Sequence, residues 1–186
     1  MNKIVLSLVL SFSVVFATTV AFDGKKVILN SNGYKVGDTA SMFNAVKTDL
    51  SEMTIGGKKD KVQVIAFVPS LDTGVCKLET IAFNHKIGKM KNVILTVVSK
   101  DLPFAQARFC KDNKITNIYT VSDYKDANNA LRYGATISAP SFLEGFFGRV
   151  VYIVDTKGKI AYVQVVKEIT KEPNYKEIIN ALKKIK

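Results

Sequence analysis

Two apolar runs of strand length, Val62 to Val68 and Val93 to Val98, constrain this chain more than anything else in it. A strand that is apolar at consecutive positions, instead of alternating with polar residues, must be covered on both faces, so each run belongs in the middle of a sheet. The first is bounded by GGKKDK and by Pro69. Between the runs, Leu78, Ile81, Ala82 and His85 recur at helical spacing, which predicts a crossover helix and hence a parallel pair of strands.

The alternation continues along the chain. A short helix is expected near Phe104 to Lys111, a strand near Ile118 to Val121, and a helix from Asp126 to Tyr133 stopped by Gly134. Arg149 to Val154 and Ile160 to Val166 flank the turn DTKG as a hairpin. The segment Asn174 to Ile185 carries Ile178, Ile179 and Leu182 on one helical face. Upstream, Val27 to Leu29 and Tyr34 to Val36 flank NSNG, an N-terminal β-hairpin with Asn32-Gly33 as its turn. A mixed central sheet, parallel early and antiparallel late and flanked by helices, is a thioredoxin-like α/β fold.

The first 21 residues read as a secretory signal peptide: Lys3, an apolar stretch from Ile4 to Ala17, and small residues suited to cleavage after Ala17 or Ala21. The apolar stretch is shorter than the roughly 20 residues that span a bilayer. No other segment is long and apolar enough, so no stable membrane insertion is expected. Residues 22–186 then form a single domain in an oxidising setting, periplasmic or otherwise exported. The formal net charge of +11 invites comparison with nucleic-acid binders, but the lysines are scattered over turns and the last helix with no aromatic interleaving. No nucleic acid partner is expected.

Only two cysteines are present, Cys76 and Cys110. Cys76 closes FVPSLDTGVC, in which a strand gives way to Pro69, a turn with Asp72, Thr73 and Gly74, and the start of the crossover helix. In the first helical turn, unpaired backbone donors and the helix dipole stabilise a thiolate, which makes Cys76 a candidate nucleophile. Cys110 closes SKDLPFAQARFC.

PSLDTGVC fits the peroxiredoxin pattern PxxxTxxC, and SKDLPFAQARFC resembles the signature around the second cysteine of the thiol peroxidase subfamily, the atypical two-cysteine peroxiredoxins. The 34-residue separation of the cysteines, EITKEPNYKEII near the C-terminus and the N-terminal hairpin extend the resemblance over nearly all of the chain that follows the signal peptide. The resemblance implies reduction of hydrogen peroxide and organic hydroperoxides. Cys76 would be the peroxidatic residue and Cys110 the resolving one, joined in an intramolecular disulfide that thioredoxin or an exported thioredoxin-like dithiol reduces. Thr73 would direct its hydroxyl toward thiolate and peroxide, and Pro69 would close the pocket against water. Of the three arginines, Arg108, Arg132 and Arg149, the resemblance selects Arg149 as the cation facing the sulfur. Local unfolding at both cysteines and a homodimer are implied, with no cofactor and no metal.

Other readings of the two thiols are weaker. Protein thiol-disulfide exchange ordinarily uses CxxC, which is absent. A basic binding protein with a structural disulfide would leave both motifs without a purpose. His85, the only histidine, has no Cys or carboxylate at metal-ligand spacing and reads as a partly buried helix residue. Phe142, Phe146 and Phe147 would either line an apolar mouth or pack at a subunit contact.

Overall fold

The computed structural model describes residues 17–125 and 130–185. The two apolar runs form β5 (Val62–Phe67) and β6 (Val93–Ser99), paired in parallel from Val62–Val93 to Phe67–Val98. Between them runs α1 (Gly74–Lys86), as the crossover requires. Next come α2 (Pro103–Asp112), β7 (Tyr119–Ser122), the hairpin β8 (Val150–Val154) and β9 (Ile160–Val165), and α3 (Tyr175–Lys184). Asn174 caps α3 by accepting from the Glu177 N–H. The expected helix from Asp126 to Tyr133 falls partly on residues 126–129, outside the described residues. Its end, Leu131–Tyr133, is a single 3-10 turn closed by Gly134 in the left-handed region.

Two strands escape a reading based on apolar runs. β3 (Phe43–Lys47) and β4 (Glu52–Ile55) form a hairpin on the edge of the sheet, whose order is β4-β3-β7-β6-β5-β8-β9. β3 is too short and mixed to announce itself, because Asn44 interrupts Phe43, Ala45 and Val46 and Lys47 ends the run. Its turn carries Leu50 at a φ of 68°, where a glycine or asparagine would have given a signal.

The N-terminal hairpin exists, but not around Asn32-Gly33. It joins β1 (Thr19–Phe22) to β2 (Lys25–Ile28) through Asp23 and Gly24, both at positive φ. The NSNG segment does not fold back on itself. Asn30 donates its N–H to the Thr136 carbonyl and accepts from the Thr136 N–H. Gly33 is needed for close approach, since a Cβ there would overlap the Tyr152 hydroxyl and the Tyr133 carbonyl.

One core lies between the sheet and the helices: Val64, Ala66, Leu95, Val97, Val151 and Ile153 meet Cys76, Phe83, Phe109, Ile178 and Leu182. All three described α-helices contribute to it. The opposite face is covered by the N-terminal hairpin and the 130–147 segment, with Phe67 edge to face against Phe147 and Tyr152, and Tyr152 edge to face against Tyr133. Gln63 interrupts the apolar run of β5 yet is buried, and its amide is satisfied by the Gly56 N–H and the Gly57 carbonyl.

The helical face expected on α1 is correct only in part, since Ile81 packs half-buried against the core. Its buried residues are Cys76, Glu79, Thr80, Phe83 and Asn84, whereas Leu78 and His85 are exposed. Hydropathy misleads here because the inward polar groups have partners: Thr80 donates to the Cys76 carbonyl, and Asn84 accepts from the Thr116 and Thr-adjacent Asn117 N–H groups.

Candidate active site

β5 ends at Phe67, Pro69 is buried in the following bend, and a turn leads into α1. Thr73 occupies the N-cap position with extended backbone, so Gly74, Val75 and Cys76 make the first helical turn. Backbone N–H groups there have no intrahelical acceptors, and the dipole favours negative charge at this end. Cys76 is fully buried and unbridged.

Arg149, immediately before β8, reaches the same point from the strand paired with β5. Its Nη2 donates toward Cys76 Sγ at 3.4 Å. The guanidinium is itself buried, at 2% exposure, so it faces the sulfur without the screening of bulk water. Two further contacts hold it: the Ile169 carbonyl accepts from Nε at 3.1 Å and from Nη2 at 2.8 Å, and Glu79 accepts from Nη1. Arg108 and Arg132 have no such place beside Cys76.

Glu79 was not foreseen as part of the site. It lies one helical turn after Cys76, on the same buried face, and that spacing was the available signal. Burial pushes its carboxyl up to about 7 although Arg149 opposes the shift. Its Oε1 has no hydrogen-bond partner among the described residues.

Thr73 does not direct its hydroxyl at the sulfur. It is exposed, and Oγ1 donates to the Ser70 carbonyl at 3.0 Å, closing the turn. The turn is also tied to the second cysteine motif. Asp101, two residues before α2, accepts from Ser70 Oγ, from the Leu71 N–H and from Ser99 Oγ, each at 2.7 Å.

Cys110 sits near the end of α2, half-buried, with Sγ 3.1 Å from Thr120 Oγ1 on β7. Burial raises its thiol above the ordinary value, with the Thr120 contact acting in the other direction. The two cysteines belong to the same core but are not bonded. A polar cleft of about 280 Å³ opens between their segments, walled by Leu71, Asp72 and Lys77 on one side and by Arg108, Phe109 and Asp112 on the other. A larger cleft, of about 530 Å³, lies against β9 and α3 and contains none of these residues. Of the three phenylalanines proposed to line a mouth, Phe147 is fully buried, while Phe142 and Phe146 are exposed. No cluster of potential metal ligands occurs among the described residues.

A buried cysteine at a helix N-terminus facing a buried arginine from the adjoining strand is accompanied by extensive sequence similarity. Residues 35–179 match the Redoxin family. The chain belongs to that family. It is 47% identical over 169 residues to a thiol peroxidase of Aquifex aeolicus, covering 91% of this chain and 99% of the relative. Identity to a thiol peroxidase of Bacillus subtilis is 38% over 164 residues, or 88% and 96% of the two chains. Among solved structures, a peroxiredoxin-like protein from Aquifex aeolicus superposes with a TM-score of 0.86 at 47% identity, covering 90% of this chain and 97% of that one. A thiol peroxidase from Chromobacterium violaceum, at 15% identity and a TM-score of 0.74, covers 89% and 95% and shares the fold. The peroxiredoxin fold and a thiol peroxidase relationship are thereby established.

Proposed function

We propose that this thiol peroxidase reduces hydrogen peroxide and organic hydroperoxides at Cys76, resolves the product with Cys110, and is returned to the dithiol by a thioredoxin-like protein. The observation that carries the assignment of roles is the 3.4 Å approach of the Arg149 guanidinium to the Cys76 sulfur inside the core. A peroxide offers no carbonyl to polarise, so the reaction depends on an anionic sulfur and on donors for the departing oxygen.

The Cys76 thiolate attacks one peroxide oxygen. The S–O bond forms as the O–O bond breaks, and the second oxygen leaves as hydroxide or alkoxide, which takes a proton from solvent to become water or alcohol. Arg149 and the first-turn N–H groups of α1 stabilise the charge as it moves from sulfur to oxygen. Pro69 keeps one wall of the pocket apolar, and Thr73 holds the turn through Ser70 instead of touching the reacting atoms. Cys110 sulfur then attacks the Cys76 sulfenic acid; an S–S bond forms, the S–O bond breaks, and water is released. Because Cys76 is wholly buried, the two segments must open locally before the sulfurs meet.

Export to the periplasm, a homodimer in which the exposed Phe142 and Phe146 are candidate contacts, and an exported reductant complete the proposal. Stopped-flow titration of the reduced protein with hydrogen peroxide and cumene hydroperoxide, followed by peptide mapping, tests it. Rapid stoichiometric peroxide loss with a new Cys76–Cys110 disulfide is expected. Oxidation no faster than that of a free thiol overturns the proposal.

A further inference from the structure

The carbonyl that takes two of Arg149's donors belongs to Ile169, and Ile169 is fixed from outside the site. Residues 167–169 lie alongside β1 as a single parallel bridge, Ala21 to Glu168. Ala21 donates its N–H to the Lys167 carbonyl at 2.7 Å, and its carbonyl accepts from the Ile169 N–H at 2.8 Å.

Glu168, between them, turns its carboxylate back to the tip of the N-terminal hairpin. Oε1 accepts from the Asp23 N–H at 2.9 Å, and Oε2 accepts from the Gly24 N–H at 3.1 Å. The positive φ of Asp23 and Gly24 presents both N–H groups of the turn to one anion, the concave arrangement that binds carboxylates and phosphates elsewhere. Thr170 adds its N–H at 3.2 Å and its hydroxyl at 2.8 Å to Oε1. These donors hold the carboxyl at about 2, the Gly24 N–H foremost, so the clamp stays ionised across the working range.

A continuous set of bonds therefore runs from the hairpin turn through Glu168 and the Ile169 carbonyl to Arg149 and Cys76. A guanidinium is a flat fork whose donors point correctly only in one orientation. With Nη1 on Glu79, the Ile169 carbonyl is the second fixed point that sets this orientation.

We infer that Glu168 is a positioning residue for peroxide reduction, holding the N-terminal hairpin against the Ile169 segment so that its carbonyl keeps Arg149 turned toward the Cys76 sulfur. The inference rests on the function proposed above. It extends the working machinery to a hairpin that contributes no side chain to the site.

The test is a double-mutant cycle on the full-length chain, with Glu168→Gln, Arg149→Ala and both together. Single-turnover stopped-flow with hydrogen peroxide reads attack on Cys76. Glu168→Gln is expected to slow attack about tenfold, and to have no further effect once Arg149 is alanine, because the two act through one another. Glu168→Asp keeps the charge one methylene short and should fall between wild type and Glu168→Gln.

A second readout requires no peroxide chemistry. The pH midpoint for iodoacetamide alkylation of Cys76, followed by mass spectrometry of its peptide, should rise in Arg149→Ala and rise by a smaller amount in Glu168→Gln. Equal effects of Glu168→Gln in both backgrounds, or an unmoved alkylation midpoint, overturn the positioning role. Alkylation midpoints that shift as expected in a protein that consumes no peroxide would uphold the positioning and sink the proposed function instead.

Discussion

Glu79 and Arg149 form an ion pair within the core, on the same guanidinium that faces the Cys76 sulfur. The cation thus faces two groups at once, a carboxyl and a sulfur. With its carboxyl pushed up to about 7 by burial, Glu79 pairs as a carboxylate above that value, and between the ordinary 4.5 and about 7 it carries a proton that it would have lost in the unfolded chain.

The sign of the stability effect follows. Between the ordinary value of 4.5 and about 7 the native state binds the extra proton. The contribution is fully present below that window and is lost as pH rises through it. Urea unfolding at pH 5 and pH 8 should show wild type losing more midpoint than Glu79→Gln over this interval. Equal losses in both proteins would show that Glu79 does not titrate there.

Removing the cation should be felt in rate. Arg149→Ala takes away a buried donor aimed at the reacting sulfur, and by comparison with oxyanion-hole deletions this costs about a hundredfold in the attack step. Thiolate and helix N–H groups remain, so single-turnover stopped-flow should register slow consumption of peroxide, not none. Cys76→Ser should abolish it.

The resolving step should have its own pH dependence. Burial keeps Cys110 a protonated thiol in the folded protein, and it must ionise to attack. Disulfide formation, read by mass spectrometry after a peroxide pulse, should therefore accelerate toward alkaline pH. Cys110→Ser should stop at one sulfenic acid per chain, trapped by dimedone, with no multiple turnover on a dithiol.

The two cleavage sites of the proposed export signal, after Ala17 and after Ala21, would have different structural consequences. The first leaves β1 whole, whereas the second removes Thr19, Val20 and Ala21, three of its four residues. Val20 is buried in the core, and Ala21 makes both bonds to the 167–169 segment. N-terminal sequencing of the exported protein should begin at Thr18. A start at Phe22 in an active enzyme would show that β1 is dispensable.

What the sequence revealed and what it hid have separable physical causes. The parallel pair β5–β6 and strand β8 were legible because their burial is written in consecutive apolar residues, and the parallel pairing then required a crossover helix whose inward residues the hydropathy did not name. The two cysteine segments and Arg149 were legible only as motifs. Glu79 was hidden because a buried carboxylate looks like a surface residue until its partner, 70 positions away, is known. Thr73 was assigned the wrong contact because the spacing Thr-x-x-Cys fixes where its backbone lies and not which way its hydroxyl turns. Asn32-Gly33 was misread because a positive-φ glycine serves close packing as well as a hairpin turn.

Asp101 links the two cysteine segments and yields the last prediction. Its carboxylate holds Ser70 and Leu71 of the turn before Cys76, and it stands two residues ahead of the helix that carries Cys110. Opening either segment for resolution loosens this contact, so Asp101 weighs the closed form, competent to attack peroxide, against the open form that permits the disulfide. Hydrogen bonds to a charged group contribute about 1.5–3 kcal/mol each. Asp101→Asn, which keeps the shape and drops the charge, should lower stability to urea by about 1–2 kcal/mol. It should also favour opening. Under excess peroxide, the sulfenic acid of Cys76 is captured by Cys110 or oxidised further to sulfinic acid. A variant that opens sooner gives the first fate more often, so the sulfinic fraction measured by mass spectrometry should fall below that of wild type while attack on peroxide slows. An increased sulfinic fraction would mean that Asp101 guides the segments together and does not hold them closed.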